Sequence, residues 1–153
     1  MTNSSRVFEI GNVSKQELAD VVALEARCFP GQQCINHLVT RQVFDVSPEH
    51  FLVARTPKVV GYIASLLCSD RKSAWIITLG VNPEHRELGV AKALVQETFQ
   101  RLIKHGITEC YLTVRPDNSV VRNLCEREGF AQTGVEEDYF GVGEKRLVLR
   151  KHF

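Results

Sequence analysis

Residues 79–94 read as a strand, a tight turn and the start of a helix. Asn82 and Pro83 end the strand, and the apolar residues beyond them recur at helical spacing: Ala91, Leu94, Val95, Leu102 and Ile103. Backbone N–H groups in the first turn of a helix point outward along a positive dipole, and Gly89 has no side chain to keep an anion away from them. The segment therefore predicts a phosphate-binding turn, to which Arg86 and Lys92 can add positive charge.

Two common phosphate-binding motifs are absent from the sequence. Neither G-x-x-x-x-G-K-[ST] nor G-x-G-x-x-G occurs, which argues against nucleotide hydrolysis and dinucleotide redox chemistry. The 19 basic and 18 acidic side chains leave a formal charge of +1, so no overall field attracts nucleic acid or an anionic membrane. Anion binding is therefore expected to be local.

The remaining pattern predicts a mixed α/β (α+β) chain that forms a single domain over residues 1–153. Strands are predicted at 6–10, 51–54, 59–68, 75–81, 111–114, 131–139 and 145–150. Helices are predicted at 14–27, 35–44, 88–105 and 118–128, the first beginning with a capping box formed by Ser14 and Glu17. Short turns between three consecutive strands indicate an antiparallel meander, and the order of elements indicates a mixed sheet with helices on both faces.

Several other classes of protein and site are disfavoured. The longest mostly apolar stretch, residues 59–68, is too short to span a bilayer, so no membrane association is expected. Five cysteines without a C-x-x-C pair indicate free thiols rather than disulfides, and no metal site is expected. The first ten residues lack an apolar run of signal-peptide length, which favours a cytoplasmic protein.

Two blocks resemble the GNAT acyltransferases, which bind acetyl-CoA. The sequence from Arg86 to Ala91 is similar to the family's Q/R-x-x-G-x-G/A signature, and it lies between a strand and an amphipathic helix, as in that family. Residues 118–130, an Asn-led helix that closes in Gly-Phe, resemble the family's downstream block. The resemblance implies a GNAT fold with a twisted, mixed, mainly antiparallel sheet of six to seven strands. It also implies acetyl-CoA as the cosubstrate.

By this resemblance, the cofactor contacts fall in three places. The strand ending at Val81 is expected to diverge from the one at Leu112, and in the gap the pantetheine arm is expected to pair with the backbone of Leu79, Gly80 and Val81. The pyrophosphate is expected at the turn, formed by Arg86, Glu87, Leu88, Gly89, Val90, Ala91 and Lys92. Asn118 is expected to contact the cofactor or to serve as a helix cap. Glu87 has the wrong charge for an anion site, so it is expected to face solvent or to weaken cofactor binding.

Within the family, the chain is most similar to N-terminal protein acetyltransferases, including the bacterial enzymes that act on ribosomal-protein alanine. Phe29 and Pro30 follow the first helix where those enzymes have a loop over the peptide N-terminus, and Tyr139 matches a tyrosine of their second substrate loop. The resemblance implies that Phe29, Pro30 and Tyr139 contact the N-terminus of a peptide or protein. The alternative is that these three residues only fill the core or a turn.

The catalytic residues of these relatives are not reproduced. Thr113 occupies the position of their Glu or His base, Cys125 that of the bacterial Tyr acid, and Trp75 that of the eukaryotic Tyr. Thr113 can order a water, Cys125 can donate a proton or be a buried thiol, and Tyr139 can lie near the amine or be structural. His85 is expected to face solvent, and Glu25 and His37 are further ionisable candidates.

Three functions remain open in addition to acetylation of a peptide N-terminus. A small-molecule amine is a possible acceptor, and the missing catalytic residues also suit a regulatory module that binds coenzyme A without turnover. A nucleic-acid binder is the least supported, because the net charge is near zero. The expected assembly is a monomer or a homodimer.

Overall fold

The computed structural model describes residues 7–32 and 34–153. In this part of the chain, seven strands form one sheet in the order β1-β2-β3-β4-β5-β7-β6. The strands are β1 Glu9–Asn12, β2 Phe51–Arg55, β3 Val59–Leu67, β4 Ser73–Val81, β5 Glu109–Val114, β6 Ala131–Glu136 and β7 Arg146–His152. The α-helices are α1 Leu18–Cys28, α2 His37–Val46, α3 Val90–Lys104 and α4 Ser119–Arg127. The predicted mixed fold is confirmed, while Arg6, the predicted start of the first strand, lies outside the described residues.

The strand pairing is mainly antiparallel, as predicted. β1 pairs antiparallel with β2, β2 with β3, β5 with β7, and β6 with β7. β4 and β5 pair in parallel, joining Ser73 to Glu109 and Trp75 to Tyr111. No helix in the described part of the chain has both the length and the hydrophobicity needed to cross a bilayer.

Two compact units can be distinguished in the chain. The first contains residues 7–32 and 34–64 together with Thr78–Thr98, and the second contains Ser65–Ile77 and Phe99–Phe153. The single domain over residues 1–153 stays a prediction.

In the first unit, helices cover both faces of β3. A side chain at Gly61 would meet Val90 and Leu94 of α3 at 2.8 and 3.2 Å, whereas the hydroxyl of the next residue, Tyr62, donates to Glu25 of α1. Because successive residues of a strand point to opposite faces, α1 and α3 lie on opposite sides of β3. Within this unit, the expectation of helices on both faces is confirmed.

The start of α1 is held by the predicted capping residues. The Ser14 N–H donates to Glu17 Oε1 at 2.9 Å, and a 3-10 turn over Lys15–Glu17 leads into the helix. Glu17 also accepts two bonds from Arg55 at the end of β2, from Nε at 2.6 Å and from Nη2 at 2.7 Å. This paired geometry fixes the entry of α1 to the sheet.

The ion pair of Glu17 and Arg55 predicts a loss of stability in acid. The hydrogen bond from Arg55 lowers the pKa of Glu17 from 4.5 to about 2, so the unfolded chain takes up the proton first as the pH falls. The stabilisation is complete above about pH 5 and is lost towards pH 2. We expect Glu17 to contribute roughly 1–2 kcal/mol, allowing for partial exposure of the pair. Urea unfolding between pH 2 and 7 should show a shallower pH dependence for Glu17→Gln than for the wild type; parallel curves would contradict the assignment.

In the second unit, the last hairpin differs from the prediction. The strand predicted over 131–139 ends at Glu136, because the following residues close a turn. Asp138 Oδ1 accepts from the Gly143 N–H at 2.8 Å, and the Tyr139 N–H donates to the Glu144 carbonyl at 3.1 Å. Tyr139 therefore lies in the turn between β6 and β7 and not in a strand.

Two helix boundaries are set by asparagine caps. The side chain of Asn36 accepts from the Val39 N–H at 3.0 Å, so α2 begins at His37, two residues later than predicted. The helix ends at Val46, also two residues later than predicted. The side chain of Asn118 accepts from the Val121 N–H at 3.2 Å at the start of α4, where the sequence predicts it.

Candidate functional site

The polypeptide leaves β4 through a tightly bonded turn. The Asn82 N–H donates to the Val60 carbonyl at 2.8 Å, and the Asn82 side chain accepts from the Glu84 N–H at 3.1 Å. A 3-10 turn over Pro83–His85 follows. These bonds fix where the next residues emerge from the end of the strand.

Residues 86–89 then form an exposed turn directly before α3. Glu87 and Gly89 have φ values of +65° and +80°, in the left-handed region that glycine adopts without strain. The Ala93 N–H donates to the Gly89 carbonyl at 3.0 Å, so the helical ladder begins there. By helix geometry the amides of Val90, Ala91 and Lys92 precede the ladder. These amides lie beside the exposed turn, and anion binding there stays a prediction.

Charged side chains surround this turn. Arg86, Glu87 and Lys92 are all exposed, and the exposure of Glu87 agrees with the expectation that it faces solvent. His85 is also expected from the sequence to face solvent, but it is half-buried. Its Nδ1 is buried and has no hydrogen-bond partner among the described residues.

The thiol of Cys28, at the end of α1, lies beside Val81, the last residue of β4. We call Leu79, Gly80 and Val81, the predicted pantetheine contacts, the cofactor strand. The Cys28 Sγ donates to the Val81 carbonyl at 3.3 Å. Burial raises the pKa of Cys28, while the nearby Arg86 acts in the opposite direction. The thiol is therefore largely protonated near neutral pH, as its donor role requires.

A buried carboxylate links α1 to the two central strands of the first unit. Glu25 is 4% exposed and accepts from the Tyr62 hydroxyl, and it also accepts from Thr78 Oγ1 at 2.8 Å. Burial, followed by the charge of Glu25, raises the pKa of Tyr62, so the phenol stays protonated and donates. We call Glu25, Tyr62 and Thr78 the Glu25 cluster.

Sequence reasoning included Glu25 only among further ionisable candidates and did not identify Tyr62. A signal for Glu25 was available, because it occupies a core position of α1, spaced four residues after Val21 and three before Cys28. The contact with Tyr62 joins residues 37 positions apart, and no local pattern predicts it.

In the second unit, the candidate catalytic residues have different environments. Thr113 is half-buried on β5 opposite Val148 of β7. Cys125 is buried in α4, and burial raises its pKa to about 12, which disfavours proton donation near neutral pH. Trp75 stacks on Tyr111 with ring centroids 5.1 Å apart.

The substrate-loop candidates are at element ends. Phe29 is half-buried at the C-terminus of α1, where its N–H donates to the Glu25 carbonyl at 3.0 Å, and Pro30 is exposed. Tyr139 is half-buried beside the ring of Phe140, and burial raises its pKa, so it is a hydrogen-bonding group and not a base at neutral pH.

Comparisons with known proteins identify the family and the fold. A profile of the acetyltransferase (GNAT) family matches residues 18–130. An acetyltransferase of Photorhabdus laumondii is 30% identical over 150 residues, covering 95% of this chain and 100% of that protein. Ard1 from Thermoplasma volcanium has a TM-score of 0.88 at 21% identity, over 95% of this chain and 97% of that one. Arabidopsis thaliana Naa50, in complex with the bisubstrate analogue CoA-Ac-MVNAL, has a TM-score of 0.84 at 22% identity. The match covers 96% of this chain and 99% of that one.

The two solved structures establish the shared fold, and the family match includes the turn at Gly89 and the block that begins at Asn118. Both blocks on which the resemblance was based thus fall inside the matched range. The chain therefore belongs to the acetyltransferase (GNAT) family and is an acetyltransferase that uses acetyl-CoA as its cosubstrate.

Proposed function

We propose that this acetyltransferase acts on the N-terminal amine of a peptide or protein. The observation that carries the proposal is the likeness over nearly the whole chain to Naa50, a structure solved with a CoA–peptide bisubstrate analogue. The sequence adds Phe29 and Pro30 after α1 and Tyr139 in the turn between β6 and β7. We assign acceptor contacts to these three residues.

The proposal places the diphosphate of acetyl-CoA on the amides around Gly89. The exposed turn, the positive φ of Gly89 and the amides that precede the α3 ladder support this assignment. Arg86 and Lys92 add charge, and the backbone of Leu79, Gly80 and Val81 is assigned to the pantetheine arm. The same proposal gives Asn118 a cofactor contact in addition to its capping bond.

The chemistry requires an uncharged amine and a polarised thioester. The amine nitrogen attacks the carbonyl carbon, a C–N bond forms and the C–S bond breaks. The nitrogen then loses a proton to water, and coenzyme A leaves as a thiol. Thr113 is assigned to ordering that water, because a hydroxyl cannot act as a base near neutral pH. With a pKa of about 12, Cys125 is a poorer acid than an ordinary thiol, so it is not assigned to protonating the departing sulfur, and the proton that the nitrogen gives up is assigned to reach the sulfur through water.

Positioning is expected to supply much of the rate. Holding the amine against the thioester and directing strand N–H groups at the carbonyl oxygen lowers the barrier without a dedicated base. Turnover is therefore expected to be slow and to rise with pH, because a larger fraction of the amine is then uncharged.

A peptide panel tests the proposed acceptor. With acetyl-CoA, peptides bearing a free α-amine should release free thiol at least tenfold faster than the same peptides with the α-amine blocked and a lysine left free. Mass spectrometry should locate the acetyl group on the first residue. Release only with polyamines or aminoglycosides would replace the peptide by a small amine. Tight binding of acetyl-CoA without transfer to any amine would indicate a binding module.

A further inference from the structure

We propose that Glu25 is a positioning residue that anchors the segment between α1 and α2 to the cofactor strand, and so determines how the acceptor is held. The inference rests on the proposed function, because Phe29 and Pro30 of this segment are assigned to the acceptor there. Glu25 itself is buried and has its oxygens engaged, so it is not a base that meets the substrate.

The carboxylate joins three parts of the first unit. One oxygen, Oε2, accepts from Tyr62 of β3 and from Thr78 of β4. The other, Oε1, accepts from the backbone N–H of Ile35 at 3.3 Å. Thr78 directly precedes Leu79, Gly80 and Val81, so the same carboxylate contacts both the cofactor strand and the segment after α1.

The segment after α1 has mainly short-range hydrogen bonds among its described residues. The Gln32 N–H donates to the Phe29 carbonyl at 3.2 Å, and the Cys34 thiol donates to the same carbonyl at 3.3 Å. The bond from the Ile35 N–H to Glu25 differs from these, because Glu25 is buried and also accepts hydrogen bonds from β3 and β4. It therefore links the segment to the two strands. Strand β4 is also held by its sheet pairing, so loss of the carboxylate should affect the segment more than the strand.

The Tyr62 hydroxyl has a defined place in this arrangement. Its ring packs against Gly80, and burial keeps the phenol protonated, so it donates to Glu25. Tyr62 and Thr78 thereby hold the carboxylate in the position that Ile35 requires. An apolar side chain at residue 25 would leave all three donors without this acceptor.

The test compares Glu25→Met with Glu25→Gln. Met fills a similar volume and accepts none of the three bonds. We expect the acceptor KM to rise at least fivefold, the Kd for acetyl-CoA to change less than twofold, and hydrogen exchange of the Ile35 amide to accelerate at least tenfold. Gln keeps one oxygen for Ile35, and its amide can donate to the two hydroxyls. It should therefore restore the KM to within twofold of the wild type.

The matched control is Glu17→Gln, which breaks a hydrogen-bonded carboxylate just before α1. It should lower stability without changing the acceptor KM or exchange at Ile35. If Glu25→Met does not fold, the double variant Tyr62→Phe, Thr78→Val removes the two hydroxyl donors and should reproduce the rise in KM. An unchanged KM in the folded variants, or an equal rise in Glu17→Gln, would overturn the inference.

Failure of the proposed function would be recognised separately. Exchange at Ile35 needs no acceptor, and the KM comparison uses whichever amine the wild type acetylates. If no peptide is a substrate, the N-terminal acceptor is wrong, while the exchange measurement still decides whether Glu25 holds the segment.

Discussion

Replacing Gly89 by alanine will weaken acetyl-CoA binding at least tenfold while leaving the protein folded. Gly89 has a φ of +80°, and a Cβ built there meets no atom within 4 Å, so the fold tolerates the methyl group at a strain of about 1 kcal/mol. The proposed function places the diphosphate on the amides around Gly89, so we expect the added methyl group to hinder its approach. Gly89→Glu adds a negative charge and should abolish binding. Calorimetric titration with acetyl-CoA measures both effects.

Gly106 provides a control for backbone strain. It follows α3, has a φ of +78°, and its Cβ would also meet nothing within 4 Å. Gly106→Ala should lower the melting temperature about as much as Gly89→Ala but leave the Kd for acetyl-CoA unchanged. If the two variants bind acetyl-CoA equally well, the diphosphate does not bind at Gly89.

The features that sequence reasoning predicted are those governed by neighbouring residues. The capping bond from Ser14 to Glu17 spans three positions, as does the Asn118 cap of α4, and both follow from local hydrogen-bonding chemistry. The turn at Gly89 is equally local, since a strand stop, a glycine and a helical pattern lie within sixteen residues. The turn at Gly89 and the block that begins at Asn118 also carry the family resemblance, which is why the family could be identified from local sequence.

The end of β6 could not be predicted in the same way. The strand predicted from sequence extends to the aromatic Tyr139 across Glu136, Glu137 and Asp138, but the turn is closed by Asp138 and Gly143, five residues apart. The residues after Glu136 could extend the strand or form a turn, and the hydrogen bonds at Asp138 and Tyr139 show that they form the turn. Tyr139 consequently belongs to a loop, which is where a residue that contacts an acceptor is usually found.

The Glu25 cluster shows a second limit of the sequence. A carboxylate on the apolar side of a helix signals a buried polar group, but its partners come from β3 and β4, 37 and 53 residues away. The same applies to Cys125, whose high pKa follows from burial in the folded chain and not from its neighbours in sequence. The catalytic assignments therefore depend on tertiary structure more than the cofactor assignments do.

Gly80→Ala is expected to lower the free energy of unfolding by about 3 kcal/mol. A Cβ at this position would lie 2.6 Å from Cζ and 2.7 Å from Cε1 of Tyr62, well inside contact distance. Tyr62 is fully buried and its hydroxyl is bonded to Glu25, so the ring cannot move aside without breaking that bond. Urea unfolding followed by circular dichroism measures the change. Gly134→Ala is the control, because β6 offers its Cβ open space within 4 Å.

A double-mutant cycle with Tyr62→Leu separates this clash from a general intolerance of alanine in β4. Leucine is shorter than tyrosine and lacks the ring atoms that a Cβ at Gly80 would meet, so Gly80→Ala should destabilise the Tyr62→Leu protein by less than 1 kcal/mol. In Tyr62→Phe, the ring carbons remain but the hydroxyl and its bond to Glu25 are lost, so the destabilisation should fall between the wild-type and Tyr62→Leu values. Equal effects of Gly80→Ala in the wild type and in Tyr62→Leu would mean that the ring of Tyr62 is not what requires glycine here.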